Sequence, residues 1–344
     1  TRRSSDLAVS SVYTMKRIWL QKDKKAYQAW RELMEKAALQ TTEALDYTVG
    51  IYDDTALIAS GSLSGKTIKC VAVCKKYQSE NLLTQLVVHL LEKLREENQL
   101  HSFLYTKPKN EQIFQSLGFQ KVVANQEVLF MEQGKPDFAD YLGYLTQHKK
   151  AGPASSIVMN ANPFTKGHQY LVEKAAKESS HVYVFVLSED KSLFSKEARF
   201  AMVQKGVAHL PNVTVLSTED YLVSSATFPT YFLKEKAPLE VAAIQATLDA
   251  TLFKERIAPI LEIQQRYVGE EPYSEVTAVY NQAMQQVFGQ TITLTIVPRL
   301  ASDGELISAT KVRKAMAEGD KETLKKFLPA TSYQYLVEHK KLMR

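Results

Sequence analysis

The sequence predicts an α/β protein of two domains, an α+β first half and a parallel-sheet second half. Three observations carry this expectation. Short alternating apolar runs crowd residues 46–74, strand-like and helical runs alternate from about residue 155 to 216, and Gly134, Pro136 and Lys149-Lys150 mark a connector between the two patterns. The expected division is 1–133, a linker at 134–150 that holds a short helix, and 151–344. At 344 residues the chain is long enough for two separate cores.

In the first half, residues 47–52, 56–60 and 68–74 read as strands. Asp53-Asp54 and Ser64-Gly65 supply the turns of an antiparallel meander. Residues 81–97 then read as an amphipathic helix, because Leu82, Leu86, Leu90 and Leu94 share one face. A strand at 103–106, a helix at 110–117 ended by Gly118, and a strand at 127–131 follow.

In the second half, Ile157, Val158 and Met159 form a short apolar run that reads as a buried strand. Residues 160–166 hold a proline and no periodicity, so they read as a tight loop. Gly167-His168 then opens a helix over 168–177. Strands at 182–187 and 213–216 enclose a helix at 196–209. Alternation of this kind implies a parallel sheet covered on both faces, with ligands beyond the carboxyl ends of its strands.

Two segments at such ends carry phosphate chemistry. A helix start offers free N–H groups and a positive dipole end. Thr165-Lys166-Gly167-His168 adds a glycine that permits close backbone approach and a histidine that can donate to an α-phosphate gaining charge. Taken alone, four residues match by chance often. The second segment, 306–317, follows a strand-like run at 292–297. There Ser308 and Thr310 precede a helical pattern, with Lys311 and Arg313 in its first turns, suited to the β- and γ-phosphates.

Together Thr165–His168 and Ile307-Ser308-Ala309-Thr310-Lys311-Val312-Arg313 resemble the HxGH and ISxTxxR pair of the nucleotidyltransferase superfamily. Residues 157–168, 222–233, 266–272 and 307–313 are further similar to the citrate lyase ligase family, over nearly the whole chain. The first half resembles the acetyltransferase (GNAT) fold, the second a Rossmann-like nucleotidyltransferase domain. The resemblance implies a reaction: ATP and acetate give acetyl-AMP and pyrophosphate. The acetyl group then passes to the thiol of the phosphoribosyl-dephospho-CoA group on the acyl carrier (gamma) subunit of citrate lyase, which activates that lyase.

The resemblance also implies roles. His168, Lys311 and Arg313 are the catalytic candidates. Asn160, Asn162, Thr165, Lys166, Gly167, His168, Arg266, Gly269, Ser308, Thr310 and Arg313 are the ATP-binding candidates, with Arg266 and Gly269 just past a strand. Ser188, Glu189, Arg199, Ser224, Ser225 and Thr227 are the substrate candidates. ATP enters as a substrate accompanied by Mg²⁺. No tightly bound cofactor and no protein metal site are expected. Two other classes share the motifs: an adenylyltransferase that moves AMP onto a phosphate acceptor, and a binding module whose nucleotide site is a relic.

The acetyltransferase family cradles the pyrophosphate of acetyl-CoA with Gln-x-x-Gly-x-Gly/Ala. Here Gln78 is followed by Ser79, Glu80, Asn81, Leu82 and Leu83, so Asn81 and Leu83 replace the small residues and Glu80 repels phosphate. The first half is therefore expected to dock or position a substrate without acetyltransferase chemistry.

Composition bounds the rest. A net charge of +5 is mild, and no basic stretch is interleaved with aromatics, so an anionic substrate or acidic partner is expected rather than nucleic acid. Cys70 and Cys74, at even spacing in one strand-like run, are expected to share a core face as reduced thiols. No apolar run has the length of a membrane span and no signal peptide is evident, so a cytoplasmic setting is expected. Because the numbering opens at Thr1, an initiator upstream of it is expected.

Overall fold

The computed structural model describes residues 13–41, 44–188, 192–222, 228, 230, 232–233, 236–270, 274–302 and 304–339. The chain forms two units, one of residues 1–137 with 229–237 and the other of 138–228 with 238–344.

The first unit holds β1 (Thr14–Arg17), α1 (Lys24–Lys36), β2 (Tyr47–Asp53), β3 (Ala56–Ser64), β4 (Thr67–Val73), α2 (Leu82–Glu96), β5 (His101–Thr106), α3 (Glu111–Ser116), β6 (Gln120–Ala124) and β7 (Leu129–Gly134). They build a seven-stranded sheet in the order β1-β2-β3-β4-β5-β7-β6, the acetyltransferase-like arrangement expected. Asp54 and Gly65 take positive φ at the two meander turns. Leu82, Leu86, Val87, Leu90, Leu91 and Leu94 of α2 are buried, as the leucine stripe requires. Neighbours are antiparallel except β4 and β5, which run parallel and pair only at Thr67–Phe103 and Ile68–Leu104.

The cysteines do not share a face. Cys70 has φ +52° where the β3–β4 register shifts. Such a bulge breaks the two-residue alternation. Cys70 is buried, while Cys74 lies one residue past β4 and is half-buried; both thiols are free.

Asn81 stands before α2 at φ +56° and gives the helix no side-chain cap. A left-handed position is one that glycine fills without strain. With Asn81 and Leu83 in place of small residues, the full chain is expected to release no heat above dilution when acetyl-CoA is titrated into it. Saturable binding that survives loss of His168 and Arg313 would revive an acetyltransferase role for this unit.

The second unit opens with α4 (Phe138–Gln147), the short helix expected within the connector, and that helix belongs to this unit. Phe138 and Tyr141 of α4 pack on Tyr221, and the Tyr141 hydroxyl donates to the Ser217 carbonyl at 3.1 Å. Next come β8 (Ala154–Met159), α5 (Lys166–Glu178), β9 (Val182–Val186), α6 (Lys196–Gly206), β10 (Val213–Ser217), α7 (Pro238–Leu252), a π-helical turn (Phe253–Ile257), α8 (Ala258–Leu261) and β11 (Ile263–Gly269). The unit ends with α9 (Glu275–Phe288), β12 (Thr293–Val297), the short pair β13 (Ala301–Ser302) and β14 (Glu305–Leu306), α10 (Ala309–Glu318), α11 (Lys321–Phe327) and α12 (Ala330–Glu338).

The strands β10-β9-β8-β11-β12 form one all-parallel sheet. Its order reverses between β8 and β11, where such sheets open a crevice. Alternate residues divide its faces. Ile157, Met159, Val184 and Tyr267 join a core with Val172, Ala175, Met202, Val312, Phe327 and Leu336 of α5, α6, α10, α11 and α12. On the other face Phe185 meets Phe253, which meets Phe288 of α9.

Candidate active site

The loop after β8 is held from below. Asn160 and buried Ala161 (φ +50°) lead into Asn162, whose Oδ1 accepts the Phe194 N–H at 3.2 Å. Arg199 of α6 is fully buried. Its Nε donates to the Phe194 carbonyl at 3.1 Å, and its Nη1 donates to the Asn160 carbonyl at 3.1 Å, to Asn160 Oδ1 at 2.7 Å and to the Leu187 carbonyl. A guanidinium presents five donors in one plane. Here several of them fasten the loop, the end of β9 and the approach to α6 together, so Arg199 is placed as a scaffold beneath the loop. The Asn160 and Asn162 side chains are likewise occupied in shaping it.

Thr165 caps α5. Its Oγ1 accepts the His168 N–H at 3.4 Å, and the Thr165 N–H donates to His168 Nδ1 at 3.1 Å, a reciprocal capping box. This second bond assigns the histidine tautomer. A nitrogen that accepts carries no proton, so the neutral ring holds its hydrogen on Nε2. No described residue takes that Nε2–H. Burial, then the positive charge of Arg299, pushes His168 down to about 4. Phe164 lies parallel to the ring, centroids 5.8 Å apart. The result is a neutral imidazole, fixed in rotation, with one donor to give.

Two neighbours complete the helix start. A Cβ added at Gly167 would meet only ordinary contacts, 3.7 Å from Ile307 Cγ2, so packing alone does not demand glycine there. Lys166 Nζ donates to the carbonyls of Lys325 and Lys326 at 3.2 and 2.8 Å, capping the end of α11.

Ile307 brings the second motif beside the first. Ser308 caps α10 by accepting the Lys311 N–H at 3.2 Å. Arg313 joins the two motifs. Its Nη1 donates to the Asn162 carbonyl at 2.7 Å and its Nη2 to Thr310 Oγ1 at 2.9 Å. Lys311 pairs with Glu305 at 2.8 Å, which holds the Glu305 carboxyl below its usual range.

The remaining candidates divide. Ser188 follows β9, its N–H donating to Thr218 Oγ1 at 3.1 Å. Gly269 ends β11 with open space where a side chain would stand. Arg266 does not follow a strand as expected; it sits within β11, because strand character begins at Ile263. Glu189, Ser224, Ser225 and Thr227 lie outside the described residues. Among the described residues no group of three or more His, Cys, Asp and Glu side chains is arranged to hold a metal ion, and no helix is long and apolar enough to cross a membrane.

Arg299 was not legible as a site residue. It stands two positions past β12, donates through Nε to the Glu270 carbonyl at 2.9 Å, and lies near enough to depress His168. The signal available was its place just beyond a parallel strand.

Comparison with known proteins follows the same lines. A citrate (pro-3S)-lyase ligase from Haemophilus influenzae is 35% identical over 312 residues, 88% of this chain and 92% of that protein. One from Escherichia coli is 33% identical over 313 residues, 89% of this chain and 88% of that protein. Among solved structures, Thermotoga maritima TmcAL bound with alpha-thio ATP overlays 55% of this chain and 56% of its own, at 15% identity and a TM-score of 0.35. Residues 154–336 match the citrate lyase ligase C-terminal domain, and with those two relatives this places the chain in the citrate lyase ligase family.

Proposed function

We propose that the chain is an ATP-dependent acid–thiol ligase that acetylates the prosthetic-group thiol of the citrate lyase acyl carrier subunit through acetyl-AMP. The observation that carries this reading is the joint made by Arg313. It sets the start of α10 against the loop before α5, so two helix N-termini and the Nε2–H of a neutral histidine come to one edge of the parallel sheet.

In the first step an acetate oxygen forms a bond to the α-phosphorus. The bond from that phosphorus to the bridging oxygen breaks, and pyrophosphate leaves with the electron pair. Charge grows on the α-phosphate oxygens, where His168 donates, and on the leaving group, where Arg313, Arg299 and the N–H groups after Ser308 lie. In the second step the thiol sulfur bonds to the acetyl carbon, the carbon–oxygen bond to AMP breaks, and the thiol proton passes to solvent. Thr165 and Gly167 shape the nucleotide seat, and Gly269 leaves room beside it. Lys311 is held at its rim by Glu305. Mg²⁺ is expected on the triphosphate itself, which suits an ion that keeps phosphate and water ligands.

ATP–pyrophosphate exchange tests this. Labelled pyrophosphate is expected to enter ATP only when acetate is present, with no carrier protein added. Exchange that demands a phosphate acceptor instead identifies an adenylyltransferase, and exchange with neither identifies a relic site. Because Cys70 and Cys74 belong to the first unit, their replacement by alanine should leave the exchange rate within twofold; a large loss would point to a covalent acyl-cysteine.

A further inference from the structure

The second unit holds a cavity of about 380 Å³ that neither Thr165–His168 nor Ser308–Arg313 lines. It lies against the α7–α9 face of the sheet. Val158 of β8, Arg266, Val268 and Gly269 of β11, Asp249 and Ala250 of α7, and Thr277, Tyr280 and Met284 of α9 line it. β8 and β11 flank the point where strand order reverses. Leu171 also lines the cavity. It stands three residues after His168 and so on the same face of α5.

The polar groups inside are unequal. The Tyr280 hydroxyl donates to Asp249 Oδ2 at 2.6 Å and is itself bonded by Gln245, so that pair is satisfied within the protein. Arg266 is not. Its guanidinium stacks on Phe253 at 4.6 Å, Nε is buried without a partner, and among the described residues it makes neither hydrogen bond nor ion pair. Burial pushes the Asp249 carboxyl up to about 7, against the lowering effect of the Tyr280 bond and of Arg266, so near neutral pH it offers Arg266 only part of a compensating charge. Arg266 as a whole is half-buried, but leaving its buried Nε–H without an acceptor is costly, and an anionic ligand removes that cost. A planar guanidinium matches a planar carboxylate through two parallel hydrogen bonds.

We infer that this cavity is the pocket for the carboxylic acid substrate, with Arg266 binding the carboxylate and Val158, Val268 and Met284 surrounding its alkyl end. The inference rests on the ligase reading and moves Arg266 from the nucleotide to the acid. A water takes about 30 Å³ in the liquid, so the cavity holds on the order of ten. A two-carbon acid fills only part of it, and the remainder can admit the thiol terminus that attacks next.

The test is acetate-dependent ATP–pyrophosphate exchange by the full chain, with apparent KM measured for acetate and for ATP. Arg266→Gln is expected to raise the acetate KM about 10- to 100-fold, the usual scale for a charge-assisted bond, while the ATP KM stays within twofold. Arg266→Lys should recover part of that loss. Ala250→Leu, which fills the cavity from α7 without altering a charge, should also raise the acetate KM alone and covers the case in which Arg266→Gln fails to fold. An acetate KM unchanged in Arg266→Gln or Ala250→Leu overturns the pocket and leaves the ligase reading standing. A rise in ATP KM instead returns Arg266 to the nucleotide. If the wild-type chain shows no acetate-dependent exchange, the ligase reading and the pocket both fall.

Discussion

Replacing His168 with alanine is expected to lower the turnover of acetate-dependent exchange about 10²–10³-fold, the loss typical of one preorganised transition-state donor. Apparent ATP affinity should change little, because on the proposed reading the charge that Nε2–H serves develops after binding. The capping box complicates the variant, since His168 also accepts the Thr165 N–H. Loss of a cap costs about 1 kcal/mol of stability. Thr165→Ala separates the two roles: it removes the cap and keeps the Nε2–H, so it should lower the unfolding midpoint with much less effect on turnover. Equal turnover losses in the two variants would make His168 a structural residue.

The same ring predicts a pH response. Burial, then Arg299, sets His168 to about 4 in the folded chain, below the unfolded value near 6.5. Between those values the unfolded state binds more protons, so the contribution to stability is full above pH 6.5 and is lost as pH falls toward 4. Protonation would also place a hydrogen on Nδ1, facing the Thr165 N–H. Turnover should therefore show no ionisation of this group between pH 6 and 8. A stepwise loss centred near 6.5 that disappears in His168→Gln would show the ring to be an ordinary solvated histidine.

Much of this arrangement was legible because it depends on short spacings. Thr165 and His168, three residues apart at a helix start, and Ser308 with the Lys311 N–H, are local pairs that sequence displays directly. Partners contributed by distant segments are not displayed. Arg199 is a substrate candidate by resemblance, but nothing in the run Lys-Glu-Ala-Arg shows that Asn160, Leu187 and Phe194 converge on it from separate stretches. Arg266 was misread by strand position alone. Once β11 begins at Ile263, alternation puts Arg266 and Val268 opposite Tyr267, and the cavity face follows. Gln245 and Asp249 lie four apart on α7 and share a face, but the helix is apolar nearly all round, so its periodicity singles out no face. In the first unit, β1 and β6 were missed because runs of four and five residues with lysine in them carry little periodicity. The missed α1 buries only Trp30, Leu33 and Met34 on a charged helix.

Arg313→Ala should have the second large effect, and on binding as well as rate. On the proposed reading Arg313 faces phosphates that are charged before reaction begins, so its contribution is made in the ground state and the transition state alike. Charge-assisted hydrogen bonds contribute about 1.5–3 kcal/mol, which corresponds to roughly 10- to 150-fold in ATP affinity. The variant also frees the Asn162 carbonyl and Thr310 Oγ1, the two groups Arg313 now bridges. The loop before α5 would then lose its tie to α10, and His168 its fixed position relative to the triphosphate. Turnover should fall in addition to affinity. Arg313→Lys distinguishes these contributions, because lysine keeps the charge as a point but lacks the planar fork that spans both acceptors. It should recover much of the ATP affinity at low salt and little of the turnover. Equilibrium ATP binding measured at two ionic strengths, beside exchange kinetics, decides the matter: screening should weaken the wild type more than Arg313→Ala. If ATP affinity at low salt is the same in all three proteins, Arg313 is only the pin between two loops and the phosphates are held by the helix starts alone.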